Sequence, residues 1–222
     1  MHNVAIIPAR GGSKRIHKKN IKLFNGKPIL AYAVKGALRS GLFEEVMVST
    51  DDEEIAETAV KYGAKVPFMR SKETSNDYAI LSDVIEEVKY KYLQEGISFT
   101  AICCILPTSP LLTPDNLRGC YELFINKNAD LVYAIVKFEH SIQKAMRMVD
   151  GKIEMFNPDL DCFTSYDFEN TYHDAGQFYW MKYETAFKGK NWYGFNMPNQ
   201  YVQDIDTEQD WKIAELKMQL IQ

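Results

Sequence analysis

The chain opens with the apolar run Val4-Ala-Ile-Ile-Pro8, and the stretch Ala9-Arg-Gly-Gly-Ser-Lys-Arg-Ile-His-Lys-Lys-Asn20 follows it directly. The apolar run is short and stops at a proline, which predicts a buried strand. The second stretch joins two glycines to a dense row of cations where that strand ends. Because open α/β sheets bind ligands beyond the carboxyl ends of their strands, this order predicts an α/β fold with a ligand-binding loop after the first strand.

Strand-like and helix-like segments alternate from this point to about residue 138. Strands are predicted at residues 4–7, 45–50, 66–69, 99–106 and 129–138. Helices are predicted at residues 29–38, 53–62 and 82–93, and one more begins at Thr113-Pro114. Repeated strand–helix–strand order with short connections predicts a mainly parallel sheet with helices on both faces.

The alternation breaks after residue 138. Asp150-Gly151 lies between two short apolar segments and predicts a hairpin over residues 147–155, while residues 157–175 are polar and aromatic without periodicity. A strand at 177–181, a helix around 184–187, an extended segment at 201–205 and a helix at 207–220 complete the chain. We therefore predict a single domain over residues 1–222 that carries a protruding excursion at about 139–176.

The composition is that of a globular protein. The 222 residues are 46% hydrophobic and 25% charged, with a formal net charge of −4, which gives no reason to expect a nucleic acid partner. No run approaches the roughly 18 apolar residues of a membrane span. The four cysteines show no CxxC spacing, so neither a disulfide framework nor a zinc site is expected. We predict a cytoplasmic protein with reduced thiols and no membrane partner.

The loop after the first strand concentrates positive charge. Residues 10–22 hold six of the 26 cations of the chain, where an even spread would place about 1.5. They are Arg10, Lys14, Arg15, Lys18, Lys19 and Lys22. Gly11 and Gly12 permit tight or left-handed backbone that can turn amide groups toward an anion, so the loop predicts polyphosphate binding. Neither a Walker loop nor a GxGxxG fingerprint is present, and the alternative is a solvated basic turn.

A second informative segment lies near the end of the chain. Asp204 and Asp206 alternate around Ile205, so an extended backbone would place both carboxylates on one face and the isoleucine in the core. Two carboxylates form half of a site for a hard cation such as Mg²⁺, which commonly takes one or two carboxylates together with substrate phosphates. The alternative is that Asp206 or Thr207 caps the final helix.

Several motifs, in this order, closely resemble the CMP-sialic acid synthetase family of cytidylyltransferases. They are Ile7-Pro-Ala-Arg-Gly-Gly-Ser-Lys14, Lys19-Asn-Ile21, Val48-Ser-Thr-Asp-Asp52, Pro107-Thr-Ser-Pro110 and Asp204-Ile-Asp-Thr207. The resemblance extends over residues 4–211. Within the family, Ile142-Gln-Lys144 and the segments 173–180 and 202–207 are most similar to the members that act on pseudaminic acid.

The resemblance implies a Rossmann-like fold and a defined reaction. CMP would pass from CTP to the anomeric hydroxyl of a nonulosonic acid, a nine-carbon 2-keto sugar acid, with release of pyrophosphate and with Mg²⁺ as cofactor. Pseudaminic acid is the expected acceptor; N-acetylneuraminic, legionaminic and 3-deoxy-manno-octulosonic acids are the alternatives. A non-catalytic nucleotide- or phosphosugar-binding module is an alternative of another class. The resemblance also implies a homodimer in which the excursion at 139–176 reaches the partner.

The resemblance assigns roles to individual positions of this chain. Catalytic contacts fall on Arg10, Lys14 and Lys19. Nucleotide contacts fall on Arg10, Gly11, Gly12, Ser13, Lys19, Asn20, Arg70 and Asp77. Contacts to the sugar acid fall on Lys144, Asp174 and Gln177, and the metal ligands are Asp204 and Asp206.

Three departures from the family pattern concern the substrates. Leu106 stands where the enzymes for sialic acid carry glutamine, and Ser165-Tyr166 stands where they carry an Arg-Gln pair. Both changes remove polar groups that would contact the sugar, which favours a 9-deoxy acid over sialic acid. The hydroxyl-rich stretch that contacts the nucleotide in the family is replaced by Ala79-Ile-Leu-Ser82.

Overall fold

The computed structural model describes residues 2–164 and 167–221. The strands are β1 (Asn3–Pro8), β2 (Leu23–Phe24), β3 (Lys27–Pro28), β4 (Glu45–Ser49), β5 (Ala101–Ile105), β6 (Leu131–Lys137), β7 (Met146–Val149), β8 (Lys152–Met155), β9 (Tyr172–Lys182) and β10 (Trp192–Asn196). The α-helices are α1 (Leu30–Ser40), α2 (Glu53–Lys61), α3 (Lys72–Ser75), α4 (Leu81–Gln94), α5 (Pro114–Asn126) and α6 (Glu208–Ile221). Short 3-10 turns lie at Ile142–Lys144, Pro158–Leu160, Ala186–Lys188 and Asn199–Tyr201.

A six-stranded sheet with the order β10-β6-β9-β5-β1-β4 organises the domain. β1 pairs in parallel with β4 and β5, and β10 pairs in parallel with β6. β9 runs antiparallel to both of its neighbours, β5 and β6. The predicted class, a Rossmann-like, mainly parallel and mixed α/β sheet, is therefore confirmed.

Helices cover both faces of the sheet, as the unbroken apolar character of β1 requires. Ala5 and Ile7 pack in one core with residues of α1, α2 and α5. Val4 and Ile6 point to the opposite face, into a core that α4 completes. A third core joins α6 to the loop after β1, with Ile205 completely buried in it. This third core places the start of α6 beside the basic loop.

Local signals predicted the helix boundaries well. Asp52 caps α2 by accepting a hydrogen bond from the amide of Ile55 at 3.0 Å. Thr113 caps α5 in the same way, with Pro114 as the first helical residue. Gly41 ends α1 in a left-handed conformation with φ 69°.

The strand predicted at residues 66–69 is absent. Residues 66–69 follow a single bridge between Met47 and Lys65, and no ladder forms because Pro67 has no amide proton to donate. Residues 202–205 run without sheet partners, and the predicted helix around 184–187 is the 3-10 turn Ala186–Lys188.

The sequence analysis missed the edge strand β10. Gly194 interrupts its apolar pattern, and most of its side chains are exposed. The glycine accommodates a close approach, since a Cβ atom there would lie 2.4 Å from Cδ1 of Ile135 on β6. This partner lies far away in the sequence, so the local pattern gave no sign of it.

The excursion begins with a hairpin outside the central sheet. β7 and β8 pair in antiparallel register, and Asp150 and Gly151 adopt positive φ angles of 50° and 79°, as a two-residue hairpin turn requires. The hairpin prediction is therefore confirmed. The central sheet resumes at Tyr172, within the stretch assigned to the excursion. Across the described ranges, none of the helices combines the length and apolar character that a membrane crossing requires.

Candidate active site

Two adjoining cavities open at the carboxyl ends of β1 and β5, and Pro8 and Arg10 line both of them. The smaller, of about 390 Å³, is the basic cavity. It is lined by Ser13, Lys14, Arg15, Lys19 and Asn20 and, opposite them, by residues 106–108 after β5. The larger, of about 630 Å³, is lined by Arg70, Thr74, Asn76, residues 79–82 and Phe187. Together they form one cleft at the sheet edge where α/β proteins bind ligands.

The two glycines of the loop have different surroundings. The Gly11 amide donates to Oδ1 of Asp51 at 2.9 Å, and a Cβ atom on Gly11 would lie 2.7 Å from Oδ2 of Asp52. Gly12 has open space around it. Neither glycine has a positive φ, so the expected left-handed turn is absent and Gly11 is required by the close approach of Asp52. The motif at 48–52 thus braces the loop, a contact that the sequence analysis missed.

Two cations of the loop meet a carboxylate from the other side of the cleft. Arg10 lies 3.1 Å from Asp77 and donates to the carbonyl oxygen of Asn76 at 2.8 Å. Lys14 also pairs with Asp77. The hydrogen bond from Lys14, assisted by the charge of Arg10, lowers the pKa of the Asp77 carboxyl. The structure therefore brings together Arg10, Lys14 and Asp77, which the sequence analysis had selected separately.

Two further cations face the acidic segment before α6. Arg15 lies 2.7 Å from Asp206, and Lys19 lies 3.6 Å from it. Lys19 also donates to the carbonyl oxygen of Ile205 at 2.8 Å. Asn20 is buried at the base of the loop, where its side chain donates to the carbonyl oxygen of Arg10 at 2.9 Å. These contacts fix the basic loop against the segment 204–206.

The remaining two cations of the run do not line the cleft. Lys18, at a positive φ of 48°, pairs with Glu54 of α2. Lys22 bridges to Glu208 at 2.5 Å and lies 4.7 Å from the centre of the Trp211 ring. Lys18 and Lys22 therefore tie the loop to neighbouring helices. The other four cations of the run line the basic cavity.

Arg70 lies beneath the wall of the larger cavity. It is buried, and its guanidinium group donates to the hydroxyl oxygen of Ser49 at 3.1 Å and to the carbonyl oxygen of Ser49 at 2.7 Å. Burial lowers its pKa. Arg70 therefore joins the end of β4 to the cavity wall.

Asp204 and Asp206 flank the buried Ile205, as the alternating pattern predicted. Partial burial, and then the negative charge of Asp206, raise the pKa of the Asp204 carboxyl. Thr207 caps α6 by accepting a hydrogen bond from the amide of Asp210 at 3.2 Å, and the Asp210 carboxylate accepts from the amide of Thr207 at 2.8 Å. The cap therefore uses Thr207 and Asp210, and neither carboxylate of the Asp-x-Asp pair takes part in it.

The donor set fits a hard cation that completes its shell with other oxygen ligands. Within residues 2–164 and 167–221, no three His, Cys, Asp or Glu side chains cluster closely enough to form a metal site by themselves. Two neighbouring carboxylates, one of them with a raised pKa, match the one or two protein ligands that Mg²⁺ uses beside substrate phosphates. The metal role of Asp204 and Asp206 stays a prediction.

A bulge in β9 places two of the predicted sugar contacts. The register with β6 shifts between Tyr133 and Ile135, and Gly176 within the bulge has φ 61°. Asp174 accepts from the amide of Gly176 at 2.7 Å and from the hydroxyl of Tyr179 at 2.8 Å. Gln177 is buried, and its side-chain amide donates to the carbonyl oxygen of Tyr201, so this side chain braces the sheet.

Lys144 lies apart from the two cavities. Its ammonium group donates to the carbonyl oxygens of Asp161 at 3.2 Å and Phe163 at 2.8 Å, all within the excursion. Leu106, by contrast, lines the basic cavity. The Ser165-Tyr166 pair lies outside the described residues.

Comparisons with known proteins show what the whole chain is similar to. The sequence model of the cytidylyltransferase family matches residues 4–218. Over 223 residues the chain is 41% identical to the pseudaminic acid cytidylyltransferase of Campylobacter jejuni serotype O:2, covering 97% of this chain and 96% of that protein. It is 31% identical to the CMP-N,N'-diacetyllegionaminic acid synthase of Legionella pneumophila, with 100% and 98% covered.

A solved structure extends the likeness to the fold. CMP:2-keto-3-deoxy-manno-octonic acid synthetase, in complex with CTP, superposes with a TM-score of 0.73 at 15% identity, with 100% of both chains covered. At this identity the likeness concerns the fold. The family match over nearly the whole sequence, and the relatives of similar length, lead to one conclusion: the chain belongs to the cytidylyltransferase family.

Proposed function

We propose that this cytidylyltransferase transfers CMP from CTP to the anomeric hydroxyl of pseudaminic acid and releases pyrophosphate. The observation that carries the reaction type is the cleft itself, in which Arg10, Lys14, Arg15 and Lys19 line one basic cavity, while Arg15 and Lys19 also face the carboxylate of Asp206. The choice of acceptor is supported by 41% identity to a pseudaminic acid enzyme, against 31% to a legionaminic acid enzyme.

The two cavities suit the two halves of CTP. We assign the cytidine to the larger cavity, beside Arg70 and Asp77, and the triphosphate to the basic cavity. Arg10 lines both and so reaches the junction between them. Negative charge grows on the α-phosphate as the sugar hydroxyl attacks and pyrophosphate departs. Fixed cations stabilise that charge, and losing one comparable contact costs about 10²–10³ in rate.

Asp204 and Asp206 would hold Mg²⁺. When bound there, the ion supplies further neutralisation of phosphate oxygens. The contribution of the chain is to hold the Asp206 carboxylate close to Lys19 and Arg15, and Ile205 anchors the segment between the two carboxylates in the core.

The acceptor side of the proposal also draws on Leu106. This residue lines the basic cavity, so the replacement of a glutamine by an apolar side chain changes the surface that substrates meet. A polar sugar substituent left without a partner costs about 1–3 kcal/mol, or roughly tenfold to a few hundredfold in specificity. We therefore expect a 9-deoxy acid to be preferred.

The test is a panel assay of pyrophosphate release from CTP with pseudaminic, N-acetylneuraminic, legionaminic and 3-deoxy-manno-octulosonic acids. We expect kcat/KM to be highest for pseudaminic acid, by about tenfold or more. Equal values, or a preference for N-acetylneuraminic acid, would contradict the assignment. Binding of CTP without any pyrophosphate release would instead support the non-catalytic module.

Because CTP is the proposed donor, we also propose that the enzyme works in the cytoplasm.

We further propose a homodimer that uses the excursion. Its hairpin and the residues after it expose large apolar side chains, among them Met146, Met148, Ile153 and Phe156. Met148 and Ile153 are cross-strand neighbours, and exposed apolar side chains that lie together mark an interaction site. The double variant Met148→Glu and Ile153→Glu should lower the mass in solution from dimer to monomer, while Leu220→Glu, at an exposed position of α6, should not. A wild-type protein that is monomeric at all concentrations would refute the dimer.

A further inference from the structure

One wall of the larger cavity is a short segment, residues 71–79, which we call the cleft arm. Thr74, Asn76 and Ala79 of this arm line the cavity. At its tip, the Asn76 carbonyl oxygen accepts from Arg10 at 2.8 Å, and Asp77 pairs with Arg10 and Lys14. The position of the arm therefore decides both the width of the cavity and the partners of the basic loop.

The arm has little apolar packing to hold it. Its one helical turn, α3, contains no buried residue, and Tyr78 is 92% exposed. The hydrogen bonds within it are local: Ser75 donates to the carbonyl oxygen of Ser71 at 2.7 Å, and the side chain of Asn76 accepts from the amide of Tyr78 at 2.8 Å. Segments with few buried contacts open easily, so the attachment at the base of the arm is decisive.

That attachment is a carboxylate on α4. Glu87 accepts from the amide of Ser71 at 2.9 Å, from the hydroxyl of Ser71 at 3.0 Å and from the hydroxyl of Thr74. Lys91, one turn along α4, lies 2.7 Å from Glu87 and donates to the carbonyl oxygen of Met69 at 2.6 Å. The Glu87 side chain is only 12% exposed, so this cluster is sheltered from water.

The Glu87 carboxylate is ionised at neutral pH. Burial alone would raise its pKa, but hydrogen bonds from Lys91, Thr74 and Ser71 outweigh burial and lower the pKa to about 2. Hydrogen bonds to an ionised acceptor are the stronger ones. A neutral amide at this position would offer one acceptor oxygen and place an N–H group against one of these donors.

We propose that Glu87 is a positioning residue for the nucleotide: through Ser71 and Thr74 it holds the cleft arm in the place that the cytidine side of the substrate requires. Glu87 does not line the cavity, so it acts through the arm and not by contact. The inference rests on the proposed function, because that function assigns the larger cavity to the nucleotide.

The test compares Glu87→Gln with Glu95→Gln, which removes the same charge from the exposed C-cap position of the same helix. For Glu87→Gln we expect the KM for CTP to rise tenfold or more, by analogy with other misplaced positioning groups, while kcat at saturating CTP stays within about twofold. Amide hydrogen exchange in residues 71–79 should become faster. Glu95→Gln should match wild type in all three measurements.

A double variant separates positioning from a general loss of stability. If Glu87 acts through Ser71, then Ser71→Ala together with Glu87→Gln should raise the KM no further than Glu87→Gln does alone. Faster exchange with an unchanged KM would refute the proposal, and so would unchanged exchange. A parallel fall of kcat and melting temperature, with no rise in KM, would show a merely structural role and also overturn it.

Failure of the proposed function would look different. A wild-type protein that neither binds CTP nor releases pyrophosphate from it would contradict that function, and the nucleotide part of this inference with it. The exchange rates of residues 71–79 would then still decide whether Glu87 holds the arm.

Discussion

Replacing Gly11 with alanine tests the packing of the basic loop against the start of α2. A Cβ atom at position 11 would lie 2.7 Å from Oδ2 of Asp52 and 2.9 Å from its Cβ. Rotating the Asp52 side chain relieves the first contact but not the second, so the backbone has to move. The movement also disturbs the Asp52 cap of α2, whose hydrogen bond to the Ile55 amide measures 3.0 Å.

The size of the effect follows from these two contacts. Overpacking costs about 1–3 kcal/mol, and loss of an N-cap typically about 1 kcal/mol. Alanine lowers the conformational entropy of the unfolded chain relative to glycine, which stabilises the folded state by about 0.4–1 kcal/mol. We expect a net loss near 2 kcal/mol, which lowers the melting temperature by roughly 4–8 °C in a chain of this size. Gly12→Ala should cause no loss, because nothing lies within 4 Å of its Cβ position and its φ is not positive.

Thermal unfolding of four purified variants tests whether Gly11 packs against Asp52 in this way. Besides the two alanine variants, Asp52→Gly removes the clashing Cβ, and glycine as an N-cap costs only a few tenths of a kcal/mol relative to Asp. The double variant Gly11→Ala, Asp52→Gly should therefore recover most of the lost stability. Equal melting temperatures for Gly11→Ala and Gly12→Ala would refute this account of the loop.

Three further predictions concern charge. Arg10→Ala and Lys19→Ala should each lower turnover by about 10²–10³ while circular dichroism stays native, and wild-type rates would remove the loop from the mechanism. Asp204→Asn and Asp206→Asn should remove most of the response of the rate to Mg²⁺ with little change in melting temperature, since Thr207 and Asp210 form the cap; a normal Mg²⁺ titration would contradict the metal role. Glu87, with a folded pKa of about 2 against 4.5 ordinarily, stabilises the fold above about pH 4.5, and this stability is lost as the pH falls toward 2. The melting temperatures of wild type and Glu87→Gln should therefore converge in acid. A difference in melting temperature that is the same at pH 7 and pH 3 would contradict this role of Glu87.

Local patterns predicted most of the fold because the decisive interactions lie close in sequence. The unbroken apolar run at 4–7 became the fully buried centre of the sheet. The caps at Asp52 and Thr113 and the Asp150-Gly151 turn formed where their side chains and glycine indicated. Each of these features depends on residues within four positions.

The missed strand depends on a distant partner, whereas the error at residues 66–69 has a local cause. The edge strand at Trp192–Asn196 exists because β6 lies beside it, and Gly194 fits because Ile135 approaches so closely. Residues 66–69 are apolar enough for a strand, but Pro67 lacks the proton that a ladder would use. The proline was visible in the sequence, whereas the partner of Gly194 was not.

The candidate site was predictable in its composition and not in its pairing. The concentration of cations at 10–22 and the Asp-x-Asp pattern were both visible, but the contact between Arg15 and Asp206 joins residues 191 positions apart. Nothing local distinguishes Lys18 from Lys19, yet one binds Glu54 on a helix and the other lines the cleft. The path of the backbone decides on which side of the loop each cation lies. The packing of Ile16 in the third core fixes that path.

These pairings explain how an acidic protein keeps a concentrated basic loop folded. Asp77 and Asp206 each pair with two of its cations from opposite sides of the cleft, which reduces the charge repulsion within the loop. Exposed ion pairs contribute little to stability, so exchanging their carboxylates for phosphate oxygens costs little. On the proposed function, the cations stabilise the loop before a nucleotide binds and hold the triphosphate afterwards. On the proposed function, the Asp206 carboxylate released by that exchange would join Asp204 at the cation that accompanies the nucleotide, and this step would unite the basic run and the Asp-x-Asp pair in one site.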